Sequence, residues 1–184
     1  MRTLTLTVIG AVLALGACNR TDTATTNADE VAVTNDTASN IADTGTTGAV
    51  DAAFVTEAMQ GDNAEVAVGQ LAQTKGTSQK VKDFGKLLVD DHGAHKEELR
   101  TLAGTAGLPV TDEPTPEGKA NLDKLKALSG AEFDKQFKSM MIEDHAKDIA
   151  KYEKQAASGD AQTAALAQKI LPTLRKHLDA ANAL

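Results

Sequence analysis

The chain has 184 residues, a formal net charge of −7 at pH 7, 3% aromatic residues and no Trp. This length leaves room for one ordinary domain once a leader and a polar stretch are set aside. The acidic balance argues against nucleic acid as a partner, because phosphate backbones attract basic surfaces. The second half is rich in Ala, Leu, Lys, Asp and Glu, so the composition favours an all-α domain over a sheet.

The first 18 residues have the pattern of a bacterial lipoprotein signal. An apolar run follows Arg2 as far as Ala17, and at about 14 residues it is shorter than the roughly 20 that span a bilayer. The run ends in Leu15-Gly16-Ala17-Cys18, which resembles a lipobox. We predict a signal peptide over residues 1–17 and a lipid on Cys18, the sole cysteine of the sequence. An ordinary export signal with an incidental cysteine is the alternative.

Residues 18–49 are predicted to carry the lipid and to form a disordered tether. The segment consists mostly of Thr, Ala, Asn and Asp, which cannot bury a core. The expected product faces the periplasm and meets the membrane through its lipid. Asn19, in a position where Asp resembles an inner-membrane retention signal, favours the outer membrane.

Residues 50–184 divide into four long helical segments at clear breaks, which predicts a four-helix bundle. Ser129 and Glu132 have the spacing of a capping box, and Pro172 is expected to kink the last helix. The predicted helices run from Asp51 to Thr74, from Ser78 to about Gly104, from Ser129 to Ala157, and from the turn at Ser158-Gly159-Asp160 to about Asn182.

The connection over residues 105–128 is long enough to cross the whole bundle, and an amphipathic piece around Leu122, Leu125 and Leu128 predicts a short helix within it. Two hairpins joined by one long crossover form the topology of ferritin-like bundles. A bundle with short loops throughout and helices in up-down-up-down order is the alternative.

Every histidine of the sequence falls on an apolar stripe of its predicted helix. Glu65 lies on such a stripe too, and a buried carboxylate needs a donor or a metal. Counting about 1.5 Å per residue places Glu65, His92, His145 and His177 within about 11 Å of one another along the bundle. The unit Val89-Asp90-Asp91-His92 is also echoed by Ile142-Glu143-Asp144-His145, as expected for two matching hairpins. Buried Asp-His pairs that only fix helix register are the competing interpretation.

Short motifs recur along the predicted helices: Phe54-Val55, Glu65-Val66, Asp91-His92, Ser129-Gly130 with Phe133-Asp134, Asp144-His145, and Leu171-Pro172 with Leu174 and His177. This spaced set resembles the pattern of a known bacterial family, domain of unknown function 4142. The resemblance implies a ferritin-like bundle in an exported, often lipoprotein-like chain, and it implies no established activity.

Three functional classes follow. The first is a periplasmic metal-binding or stress-response module that holds one Zn, Cu, Ni or Fe ion. The second is a metal-free helical module that binds an envelope protein partner. The third, an enzyme, is disfavoured because the sequence has no nucleophile-and-base pair and no Glu-x-x-His of di-iron enzymes. For the first class the expected ligands are Glu65, His92, His145 and His177, with Asp91, His95, Asp144 and Asp148 as supporting or alternative ligands.

Overall fold

A computed structural model describes residues 49–157 and 160–184. The predicted signal peptide, Cys18 and all of the predicted tether except Ala49 lie outside these residues. Regular structure in the described ranges is entirely helical, and none of these helices is both long and apolar enough to cross a membrane. The helices are α1 Ala52–Lys75, α2 Gln79–Ala106, α3 Pro116–Lys126, α4 Gly130–Ala156 and α5 Ala161–Asn182.

The helix boundaries follow local hydrogen bonding that the sequence signals. The Asp51 carboxylate accepts a hydrogen bond from the Phe54 backbone at 3.0 Å and caps α1. The Ser78 hydroxyl does the same for α2 through the Val81 backbone at 3.2 Å. Gly107 ends α2 in the left-handed conformation at φ 68°, which glycine adopts without steric cost.

The start of α4 differs from the prediction. Ser129 precedes the helix, but its side chain makes no cap hydrogen bond, so the predicted capping box is wrong. The next residue, Gly130, has φ 61°. Because a capping box requires the chain to pass from extended backbone directly into right-handed helix, this left-handed step removes its geometry.

The four long helices form two hairpins, α1 with α2 and α4 with α5, and α1 also packs beside α4 while α2 packs beside α5. The Asp51 backbone amide lies 2.9 Å from the carboxylate of Asp160, the N-cap of α5, which joins the start of α1 to the turn that follows α4. The other end of α1 meets the start of α4, where the Thr77 backbone donates to Asp134 at 3.0 Å. Since α1 is antiparallel to both α2 and α4, the connection between α2 and α4 spans the bundle, and the ferritin-like topology is confirmed.

The crossover is fastened to the outside of α1. The Asn63 amide donates to the Thr111 carbonyl at 3.1 Å, and the Lys75 ammonium donates to the Leu128 carbonyl at 3.0 Å. The predicted short helix is present as α3, and its Leu125 is fully buried. Gly118 faces Ala64 so closely that a Cβ would lie 2.8 Å from that methyl group. The crossover therefore packs directly against the helix that carries Glu65.

The core consists of two apolar clusters separated by polar residues. One cluster surrounds Phe84, Phe133 and Phe137, and the other surrounds Phe54, Leu99 and Leu174. Between them lie buried polar side chains that we call the polar layer: Asp62, Glu65, His92, His95, His145 and His177. The helix α5 continues through the exposed Pro172, whose kink remains a prediction.

Candidate metal centre

Three histidines from three helices meet in the polar layer. His92 of α2, His145 of α4 and His177 of α5 each offer one ring nitrogen, and these nitrogens lie within 4.8 Å of one another. The closest pair is His145 Nε2 and His177 Nδ1, at 3.2 Å. All three side chains are buried, with exposed fractions of 5%, 0% and 0%. We call this group the histidine triad.

Hydrogen bonds determine which nitrogen of each triad ring is free. His92 Nδ1 lies 2.9 Å from an Asp62 carboxylate oxygen, and His177 Nε2 lies 2.9 Å from one of Asp91. His145 Nδ1 lies 2.9 Å from the Met141 carbonyl. Because these oxygens accept hydrogen bonds, the three nitrogens beside them carry protons. The free positions are then Nε2 of His92, Nε2 of His145 and Nδ1 of His177.

Two of the triad rings are held neutral. Burial, reinforced by the charge of His92, lowers the pKa of His145 to about 3 and that of His177 to about 4. At neutral pH each ring therefore has one lone pair, and the two lone pairs face each other at 3.2 Å. Facing lone pairs repel unless a cation lies between or beside them, so this corner of the triad is suited to a positive charge.

His92 differs because of its partner. Burial alone lowers the pKa of His92, but the hydrogen bond and charge of Asp62 outweigh burial and raise it to about 9. Although burial opposes the change, hydrogen bonds from His92 and His95 lower the pKa of Asp62. At neutral pH His92 thus holds a proton on Nε2, a buried atom with no hydrogen-bond partner in residues 49–157 and 160–184. A metal ion bound at the triad must displace that proton.

Asp62, which the sequence analysis missed, joins the triad to the fourth histidine. His95 Nδ1 lies 2.9 Å from the second carboxylate oxygen of Asp62, so one aspartate serves both His92 and His95. The signal was available: Asp62 follows Ala58 by four residues and precedes Glu65 by three, which puts it on the same face of α1. His95 itself is outside the triad, and its Nε2 is buried without a partner.

Glu65 lies beside the triad without belonging to it. Its side chain is 5% exposed, and its Oε2 has no hydrogen-bond partner among the described residues. Burial raises the pKa of Glu65 to about 8 although the nearby His92 opposes this, so the group is mostly a neutral acid at pH 7. The structure therefore gives Glu65 the burial that the sequence predicts and places it outside the group of converging nitrogens.

The remaining sequence candidates lie on two sides of the triad. Asp91 supports His177 through its hydrogen bond, in the manner expected for a residue behind a metal ligand. Asp144 and Asp148 instead line a groove between α1 and α4, together with Glu65. Burial raises the pKa of Asp144 to about 6 and raises that of Asp148 as well.

Comparison with known proteins identifies the family. A family model described as "Domain of unknown function (DUF4142)" matches residues 36–184. The chain belongs to this family. The match covers the whole helical bundle of the DUF4142 chain and confirms the resemblance drawn from its spaced motifs. No curated protein matches it by sequence.

A solved structure has a similar fold. The crystal structure of a DUF305 fragment from Deinococcus radiodurans superposes on the DUF4142 chain with a TM-score of 0.64. The two share 16% sequence identity over 72% of this chain and 92% of that one. At this identity the likeness concerns the helical, ferritin-like fold alone.

A small pocket adjoins the triad of the DUF4142 chain. It has a volume of about 190 Å³, lies between α2 and α5, and includes His92 and His177 in its lining. Asp91 and Glu98 line the same pocket and give it acidic groups. The volume is small, and the free Nε2 of His92 remains buried behind it.

The donor set fits a borderline transition metal. Tetrahedral Zn with Zn–N bonds of 2.0–2.1 Å places its ligand nitrogens about 3.3 Å apart, close to the shortest triad distance. Met140 and Met141 belong to an apolar cluster, and Met141 supports His145 through its carbonyl oxygen. The three buried nitrogens of the triad are therefore a donor set that could hold one metal ion.

Proposed function

We propose that this protein is a lipid-anchored component of the bacterial envelope whose bundle binds one transition-metal ion through His92, His145 and His177. One observation carries the proposal. Each triad ring commits one nitrogen to a protein acceptor and leaves the other available within a common space of 4.8 Å. Imidazole nitrogens suit Zn, Cu, Ni and Fe.

The surroundings of the triad support this role. Asp62 and Asp91 orient two of the rings and place negative charge behind them, which favours a divalent ion in a buried position. An ion would also remove the repulsion between the lone pairs of His145 and His177. The metal would thus replace the proton that His92 holds in the metal-free protein.

We assign a metal-holding or stress-related role to the module. The triad is buried, and the pocket beside it is small, with a volume of about 190 Å³. Such a site retains an ion better than it processes a large molecule. The metal-free interaction module remains the outcome that the following experiment would support if no metal binds.

The test is metal content in matched histidine variants. The full chain is purified without a tag under gentle conditions, and bound Zn, Cu, Ni and Fe are measured by elemental analysis beside thermal melts with each ion. We expect about one ion per chain in the wild type, loss of that ion in His145→Gln, and retention in His95→Gln. His95→Gln is the matched control because it makes the same substitution in the polar layer but outside the triad.

A wild type that takes up none of these ions and shows no shift in melting would overturn the proposal. Equal loss in both variants would also contradict it, since the metal would then depend on the whole layer. His145→Leu gives an independent check: a stable, folded variant without metal assigns the loss to the ligand and not to unfolding.

A further inference from the structure

A second cluster of ionisable groups lies outside the histidine triad. A groove of about 580 Å³ runs between α1 and α4 beneath the start of α3. Glu65, Asp144 and Asp148 line it from the two long helices, and Asn121 lines it from α3. We call this feature the acidic groove.

The carboxyl groups of the acidic groove have few basic partners. Lys147 lies 2.7 Å from Glu143, and Lys151 lies 2.7 Å from Glu57, so both lysines of the groove are engaged at its rim. Lys151 also reaches Asp148, at 3.6 Å. Within residues 49–157 and 160–184, neither Glu65 nor Asp144 forms an ion pair with a basic side chain. The groove therefore contains more carboxyl groups than its two lysines can pair.

Glu65 gives the second, independent indication of a ligand. Glu65 is only 5% exposed and lines the groove, and within the part of the chain that the structure describes its Oε2 has no hydrogen-bond partner. Besides burial, the charges of Asp148 and Asp144 raise the pKa of Glu65. A buried carboxyl group without a partner is costly, and a cation would supply that partner and offset the repulsion among the carboxylates.

We infer that the acidic groove binds a hydrated divalent cation of the Mg²⁺, Ca²⁺ and Mn²⁺ class through Glu65, Asp144 and Asp148. Oxygen ligands select these hard cations, whereas the nitrogens of the triad select borderline ions. The carboxylates line one wide groove and do not converge on a point as the triad nitrogens do. This arrangement suits an ion that keeps several waters between itself and the protein. The inference goes beyond the proposed function and does not depend on it.

The experiment is a titration of the full chain, freed of metal with EDTA and dialysed, with Mn²⁺ while the electron paramagnetic resonance signal of free Mn²⁺ is recorded. We expect one groove ion per wild-type chain, displaced by excess Ca²⁺, and at least tenfold weaker binding in Asp144→Asn/Asp148→Asn. The control is Asp83→Asn/Asp179→Asn, which removes the same two charges from exposed positions outside the groove. This control is expected to bind Mn²⁺ like the wild type.

Two results would overturn the inference: unchanged binding in Asp144→Asn/Asp148→Asn, or no binding at about 1 mM Mn²⁺, the weak limit for extracellular Ca²⁺ modules. Folding is checked by circular dichroism, and Glu65→Gln repeats the test from the other helix. His145→Gln separates the two sites. If Mn²⁺ binding is lost there and kept in Asp144→Asn/Asp148→Asn, the ion occupies the triad, and the groove inference fails while the proposed function stands.

Discussion

Carboxylates support three of the four buried histidines of the polar layer: Asp62 serves His92 and His95, and Asp91 serves His177. Asp62 keeps His92 protonated, and Asp91 fixes the free nitrogen of His177. Glu65, which has no such partner, is instead held as a neutral acid. The charge of each buried group therefore follows from the balance between burial and its neighbours, because the carboxylate outweighs burial at His92 and burial outweighs the carboxylate at His177.

Glu65→Gln should change the pH dependence of stability in metal-free protein. The pKa of Glu65 rises from 4.5 to about 8 on folding. Its protonation therefore contributes fully to the free energy of unfolding below pH 4.5, and this contribution is lost as pH rises towards 8. Relative to Glu65→Gln, the wild type should lose about 1.4 kcal/mol of unfolding free energy per pH unit in this window. Urea denaturation in EDTA at pH 5, 6 and 7 measures the difference.

Glu132→Gln, an exposed change in the first turn of α4, is the control and should give a difference from wild type that does not vary with pH. A flat difference for Glu65→Gln as well would mean that Glu65 is ionised in the folded protein, contrary to its burial.

The sequence predicts which side chains of the polar layer are buried, but it does not predict which partners they contact. The 3.6-residue period places Glu65 and the four histidines in the interior because each lies in register with apolar neighbours of its own helix. A helical wheel says nothing about the facing helix, so it could not pair Asp62 with His92 and His95. Asp144 shows the same limit: one residue before His145, it is turned by about 100° and lies in the groove instead of beside the triad.

At the level of elements, the first hairpin is held by unusually close contact. A Cβ on Gly69 would lie 2.6 Å from the Gly85 carbonyl oxygen, and a Cβ on Gly85 would lie 2.6 Å from that of Gly69. The two helices therefore approach backbone to backbone at this point. Neither glycine gave a sequence signal, since glycine inside a helix usually only lowers helix propensity.

Gly85→Ala should destabilise the protein by about 1–3 kcal/mol, because the added methyl group meets backbone that cannot move without separating α1 from α2. The matched substitution is Gly104→Ala in the same helix, where a Cβ would meet nothing within 4 Å. That variant should be neutral or more stable by up to about 1 kcal/mol. Thermal and urea melts compare them, and equal stability of the two variants would refute the close-contact argument.

At the scale of the whole molecule, the predictions for the signal segment and for the helical bundle are independent of each other. The crossover topology followed from the length of residues 105–128, and the structure adds that this segment is tied to α1 by Asn63 and Lys75. These ties were beyond the sequence because they join side chains to backbone carbonyls about 50 residues away. The anchor has its own test, independent of the bundle.

Cys18→Ser should release the protein from the membrane fraction, because the cysteine is the predicted attachment point of the lipid. Fractionation of bacteria that produce the full chain, with labelled fatty acid as tracer, compares the variant with the wild type. Ser39→Ala, a small change in the predicted tether, is the control and should stay membrane-bound. A wild-type chain that takes up no label would instead indicate an ordinary export signal.

The two-hairpin architecture also has a kinetic consequence. Contacts within each hairpin join residues close in sequence, whereas the triad joins α2 to α4 and α5 across the long crossover. Local contacts form early in folding and contacts across long loops form late. We therefore expect each hairpin to form before the two hairpins dock. The docking step must dehydrate the histidines and the buried acids, which makes it the slow one. An ion bound at the triad would then mainly lower the rate of unfolding, because its binding site forms only after the two hairpins have docked.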